Sequence, residues 1–209
     1  MGQIVALPIT ENRKVSERKV PKRGTNGDRR SREYLTPEEV ERLMVGATQQ
    51  GRYGHRDATM ILITYRHGLR VSELVALRRD AIDLKAGTLH VSRRKRGSPS
   101  VHPLRGPEIR ALRKLFREHD RAYVFQSERD GPITPDTFRK MVARAGVAAR
   151  IGFPVHPHML RHACGYYLAN RGHDTRAIQQ YLGHRNIQHT VKYTELAAGR
   201  FQDFWRDEE

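Results

Sequence analysis

RDATMILITYRHG, residues 56 to 68, is apolar almost all round from Ala58 to Tyr65 and stops at a glycine, Gly68. A helix with apolar residues on every side is a buried one, and a glycine just past the last of them ends it. The stretch therefore predicts a central buried helix with the rest of the core built around it. Before it, YLTPEEVERLMVGA (34–47) places Thr36 as N-cap, Pro37 at the first helical position and Glu39 to close a capping box. Val40, Leu43, Met44 and Ala47 form the apolar stripe of that helix. After the central stretch, VSELVAL (71–77) reads as a further helix.

The period then changes. In DLKAGTLHVSRRKRGSPSVHPL (83–104) β-branched residues alternate with polar ones across two turn segments, Lys85 to Gly87 and Arg96 to Pro99. That pattern predicts a small antiparallel sheet. From Pro107 the helical period returns in PEIRALRKLFREH, TPDTFRKMVARAGVAAR, PHMLRHACGYYLANRG, TRAIQQYLGH and NIQHTVKYTEL, with Thr134 and Asp174 as caps. The expected fold class is mainly α with a small antiparallel β-sheet, an α+β arrangement without solenoid repeats.

Length and charge narrow the function. A chain of 209 residues suits one sizeable domain, or a domain plus a tail. Lys and Arg number 39 against 23 Asp and Glu, a formal charge of +16 that calls for a polyanionic partner. Nucleic acid is favoured over a membrane, because no apolar run approaches the roughly 20 residues a spanning helix needs and the N-terminus lacks a signal-peptide core. A cytoplasmic protein is expected. The single cysteine, Cys164, excludes an intrachain disulfide framework and a Cys-x-x-Cys metal knuckle, and reads as a small core residue. Residues 11–32 carry nine basic and three acidic side chains with no period. The expected organisation is a disordered basic arm over 1–32, lying along phosphates or simply solubilising the chain, and one domain over 33–209.

Several polar residues are left over by this scheme. Arg70 follows the Gly68 stop at the start of the next helix, where a guanidinium fork and backbone amides can hold an anion. Lys95 sits in a hairpin tip among Arg93, Arg94 and Arg96, a DNA-facing cluster or a solvated turn. In HPHMLRH (156–162), His158 and Arg161 share a helix face at i, i+3, and His162 joins His158 at i, i+4. Two histidines one turn apart can bind a metal, but no His-Glu-x-x-His pattern and no third ligand accompany them, so no metal or other cofactor is expected. Tyr193 lies in GHRNIQHTVKYT (183–194); its ordinary role would be a buried ring with the hydroxyl on one partner.

Together these residues can perform phosphoryl transfer without a metal. Arg70 and Arg161 would clamp the non-bridging oxygens of a phosphodiester attacked in line. Lys95 would protonate the leaving 5′ oxygen as general acid, and His158 would accept the proton of the attacking phenol. A cationic pocket is expected around Tyr193, because a phenol with a pKa near 10 needs one to act near neutral pH.

GLRVSEL, the hairpin lysine, HMLRH and LGHRNIQHTVKYT, in this order and spacing, resemble the catalytic domain of the tyrosine recombinases, or phage-type integrases, over about residues 34–200. SVHPL, and AGRF after the last motif, are most similar to the short fimbrial phase-variation recombinases, which invert a promoter segment. The resemblance implies the tyrosine recombinase catalytic-domain fold and a site-specific DNA recombinase in which Tyr193 forms a 3′-phosphotyrosyl link and frees a 5′ hydroxyl. It gives Arg70 and Arg161 phosphate binding, Lys95 the general-acid role, His158 proton exchange, His184 a hydrogen bond to the phosphate, and Glu73 the task of orienting Arg70. Arg93, Arg94 and Arg96 are then expected on the DNA.

It further implies a homotetramer on double-stranded DNA carrying paired inverted sites, aided by DNA-bending accessory proteins, at the bacterial nucleoid. The C-terminal FQDFWRDEE would dock on a neighbour through Phe201, Phe204 and Trp205, or pack on its own core. Residues 1–33 are too few and too polar for the helical core-binding domain that most of the family carries in front. Two other readings use the same residues: a type IB topoisomerase, which reseals the same strand, and a DNA-binding regulator that never forms a covalent link.

Overall fold

The computed structural model describes residues 32–93, 99–129, 131–195 and 197. The first helix, α1 (Pro37–Thr48), begins as its sequence requires: Thr36 Oγ1 accepts from the Glu39 amide, and Glu39 Oε2 accepts from the Thr36 amide at 2.9 Å. Val40, Leu43 and Ala47 are buried on its inner face. The central helix α2 (Gly54–His67) buries Met60, Ile61 and Ile63 completely and packs against α1, α4 (Gly106–Glu118) and α6 (Pro157–Asn170). It ends at Gly68 with φ 57°, a left-handed turn that a side chain would resist.

The helix expected over 71–77 is shorter. α3 spans Val71–Val75, because Leu77 turns away to exchange backbone hydrogen bonds with the 122–124 segment: the Val124 amide donates to Leu77 and the Arg79 amide to Ala122. After one 3₁₀ turn (Arg79–Ala81), β1 (Ile82–Asp83), β2 (Thr88–Val91) and β3 (Ser100–Pro103) form an antiparallel sheet in the order β1-β2-β3. The register pairs Leu89 with His102 and Val91 with Ser100. Leu89 and Val91 face inward and His90 outward, the alternation a half-buried strand requires.

The last helices carry the site. α5 (Pro135–Ala148) is capped by Thr134, and α7 (Thr175–Leu182) by Asp174, whose carboxylate accepts from the Arg176 and Ala177 amides. α7 ends at Gly183 with φ 65°, and α8 (Gln188–Glu195) follows. One large apolar cluster joins α1 to α6, and a small second one gathers Cys164, Ala169, Ile178 and Leu182 around the ring of Tyr193. The segment 1–31, Arg94, Lys95, Arg96 and the C-terminal FQDFWRDEE lie outside the described residues.

Candidate active site

Two helix ends build the seat of the site. The last turns of α2 and α7 leave carbonyls without intrahelical partners, each at the negative end of its helix dipole. Arg161, from α6, fills that position: one guanidinium nitrogen donates to the Gly68 carbonyl and the other to the Leu182 carbonyl at 2.7 Å. The side chain is buried, and burial, then the neighbouring Arg70 and Arg93, lower its pKa to about 10, which leaves it a cation at neutral pH.

Arg70 stands beside it at the start of α3. Glu73, one turn on, accepts from the Arg70 amide at 2.9 Å and from its Nη1 at 2.8 Å, while Arg70 Nη2 reaches the Gly183 carbonyl at 3.4 Å. The Arg70 side chain keeps 30% exposure against 1% for Glu73, so the fork is held from behind and open in front. Burial works to raise the Glu73 pKa, but hydrogen bonds from Arg70 and the charges of Arg93 and Arg70 outweigh it, and the carboxylate sits below its ordinary range. Glu73, expected to orient Arg70, contacts both its amide and its fork.

Arg93 corrects one expectation. It was to face DNA; its side chain is instead fully buried, with Nη1 donating to Glu73 Oε2 at 2.9 Å and Nη2 to the Tyr181 carbonyl. The reason is register. Leu89, Val91 and Arg93 follow the inward alternation of β2 while His90 and Ser92 face out.

Tyr193 corrects another. Its ring is 1% exposed, packed edge-on to Tyr166 and against α6 at Gly165. Its hydroxyl meets His162 Nδ1 at 2.7 Å. Burial pushes the phenol's pKa up despite the opposing pull of Arg161, so the cationic pocket expected around it does not dominate in this conformation. The ordinary reading of a buried tyrosine with one hydroxyl partner describes the geometry, and the partner is His162 rather than His158. His158 is exposed on the first turn of α6 with its ring 4.4 Å from that of His162. Burial, then His158, Lys192 and Arg161, lowers the His162 pKa to about 3; the protein around His158, then Arg161, Lys192 and Arg70, lowers that of His158. The i, i+4 spacing that raised the metal question was the sequence signal for this pair.

His184 completes the group, its ring 6.1 Å from that of Tyr193 and its Nδ1 2.8 Å from the hydroxyl of the buried Thr190. Burial, then Arg161 and Arg70, lowers its pKa to about 3. In the tautomer where Thr190 donates to Nδ1, the neutral ring carries its proton on Nε2 and can donate from there. Thr190 was missed in the sequence, although its spacing of six from His184 and three from Tyr193 sets it between them. The structure thus brings Arg70, Arg161, His184 and Tyr193 together, with Glu73 behind and His158 at the rim; Lys95, Arg94 and Arg96 are outside the described residues.

The chain is similar to known proteins. The model of the phage integrase family matches residues 33–200. The type 1 fimbriae regulatory protein FimE of Escherichia coli K12 is 45% identical over 181 residues, 83% of this chain and 91% of the relative. FimB of the same strain is 41% identical over 184 residues, 85% and 92% of the two chains. Among solved structures, XerA recombinase superposes with TM-score 0.71 at 27% identity, over 84% of this chain and 66% of that one. XerH site-specific recombinase, bound to its difH substrate, has TM-score 0.70 at 21% identity over 83% and 53%, a likeness of fold. The chain thus spans about two thirds and about half of these two solved chains, but nearly the whole of the fimbrial relatives. With the family model covering most of its length, this chain belongs to the phage integrase family, the tyrosine recombinases.

Proposed function

We propose that the chain cuts and rejoins double-stranded DNA at paired inverted sites through a link on Tyr193, and inverts a promoter segment that controls a surface gene. The observation that carries this is the convergence of Arg70, Arg161, His184 and Tyr193 from α3, α6, the α7–α8 turn and α8. Tyr193 Oη attacks the scissile phosphorus, an O–P bond forms to the 3′ phosphate, and the P–O5′ bond breaks. The phenol's proton passes to the His162–His158 pair, and Lys95 protonates the departing 5′ oxygen. Arg70 and Arg161 neutralise the non-bridging oxygens, and His184 donates to one of them from Nε2. The bound phosphate also offsets the cations that hold His158 down, which makes that ring a better base once DNA is present. A 5′ hydroxyl of the partner strand then attacks the phosphotyrosyl link, so bond energy is conserved and no metal or nucleotide is needed.

Support for DNA as partner is the charge of +16 and the kinship with DNA recombinases. Among the described residues no helix is long and apolar enough to cross a membrane. The proposal includes a cytoplasmic enzyme at the nucleoid, four copies on two sites with a DNA-bending protein as helper, an N-terminal arm over 1–32 on phosphates, and C-terminal docking between copies. The test is incubation of the wild-type chain and Tyr193→Phe with nicked duplexes tiled across the DNA flanking its own gene. A denaturation-resistant protein–DNA band with wild type alone is expected. Salt-sensitive binding with no band on any duplex would make the chain a DNA-binding regulator. Relaxation of any supercoiled plasmid without paired sites would make it a topoisomerase.

A further inference from the structure

We propose that Arg93, a residue outside the phosphate-binding set, is a positioning residue that locks the base of the β2–β3 hairpin to the carboxylate behind Arg70 and to the end of α7. The inference rests on the recombinase reading above. One guanidinium fork joins three parts of the site. Nη1 holds Glu73 Oε2, and the same Oε2 accepts the Arg70 amide while Oε1 holds the Arg70 fork. Nη2 holds the Tyr181 carbonyl in the last turn of α7, three residues before His184. The stem lies so close to Gly183 that a Cβ there would come within 2.9 Å of Arg93 Cδ and Nε.

The other strand of the hairpin is anchored at the same place. His102 in β3 stacks on the Tyr181 ring at 3.9 Å, and its Nδ1 and Nε2 are held by His67 at 3.2 Å and Ser100 at 2.9 Å. The end of β2 and strand β3 therefore both meet Tyr181, just before the turn that carries His184.

A purely structural role would not select this side chain. Arg93 is a buried cation next to Arg70 and Arg161, and its Nε–H has no hydrogen-bond partner among the described residues. Buried ion pairs are matched or bettered in stability by well-packed apolar residues of similar size. What an apolar residue cannot do is tie a carboxylate and a carbonyl in fixed directions, which is what two arginines sharing one glutamate achieve. Arg93 makes no contact with the reacting atoms; it acts through Glu73 on Arg70.

The test uses the full chain and the tiled nicked duplexes. The duplex that wild type links supplies the substrate, and failure at that step overturns the recombinase reading rather than the role of Arg93. Wild type, Arg93→Met and Arg93→Lys are compared on this duplex and on one with a methylphosphonate at the scissile position, whose neutral centre makes less demand on Arg70. Arg93→Met should link the phosphodiester about 10²-fold more slowly at saturating DNA, and the methylphosphonate within about tenfold of wild type. Half-saturating DNA should stay within about threefold of wild type, since a group acting only in the transition state leaves ground-state binding alone. Arg93→Lys keeps the cation but loses the fork, and should show the same substrate split at about tenfold; it carries the test if the Met variant does not fold. Equal losses on both substrates, a defect confined to half-saturation, or wild-type linking by Arg93→Lys would overturn the proposal.

Discussion

Replacing Gly165 by alanine isolates the slot that holds the Tyr193 ring. A Cβ built at this position in α6 lies 2.6 Å from Tyr193 Cε2, 2.7 Å from Cδ2 and 2.8 Å from Cζ, closer than real contacts allow. The ring is pinned on its other sides by Tyr166 and by the hydroxyl bond to His162, so it cannot yield without losing one of them. Overpacking of this kind costs about 1–3 kcal/mol, against which alanine gains about 1 kcal/mol over glycine in a helix interior. The net expectation for Gly165→Ala is a loss of about 0–2 kcal/mol. In a Tyr193→Ala background the clash is gone and only the helix propensity remains, so the same change should stabilise by about 1 kcal/mol. The coupling energy in the cycle is then the overpacking cost itself, about 1–3 kcal/mol. Urea denaturation followed by circular dichroism of the four proteins measures it. Equal effects of Gly165→Ala in both backgrounds would refute the claim that this glycine exists to seat the tyrosine ring.

Glu73→Gln should destabilise by about 3 kcal/mol or more, because it leaves the fully buried Arg93 cation without its anion; urea unfolding at pH 7 measures the loss, and a change under about 1 kcal/mol would contradict the ion-pair geometry. Thr190→Val removes the hydroxyl on His184 Nδ1 at nearly constant volume. It should cost about 1 kcal/mol and slow covalent linking without changing half-saturating DNA, read from unfolding and from band formation over time. His102 and His162 are buried, and burial brings each pKa down to about 3. The unfolded chain takes up protons near pH 6.5 that the fold refuses, so stability falls as pH drops below that value. The slope contributed is about 1.4 kcal/mol per pH unit for each ring, and a stability that stays flat between pH 7 and pH 5 would exclude buried neutral histidines.

Local features were readable in the sequence where the physics is local. The capping box of Thr36 and Glu39, the Gly68 stop and the caps Thr134 and Asp174 each depend on residues within one turn, and all are realised. α3 was overestimated because its end is set by a partner more than forty residues away, the 122–124 segment. Arg93 was misplaced for a different reason: its charge was weighed, while its position two beyond Val91 on an inward-facing strand was not. The choice between His158 and His162 as partner of Tyr193 turns on about one helical turn, which spacing alone does not resolve. The buried group of His67, His102 and Glu108 was unreadable, since its members come from α2, β3 and α4 and meet only in the folded chain, His67 and Glu108 at 2.8 Å.

The seat of Arg161 has an evolutionary implication. Its two hydrogen bonds end on main-chain carbonyls, and among the described residues no side chain supplies it an acceptor. Mutation cannot delete a carbonyl; it can only move the chain that bears it. As long as two helices end in left-handed turns at the same place, the surrounding residues are free to drift while the guanidinium keeps its orientation. Such a seat is written in the path of the backbone, and lineages can diverge until their sequences share little around it beyond the arginine itself.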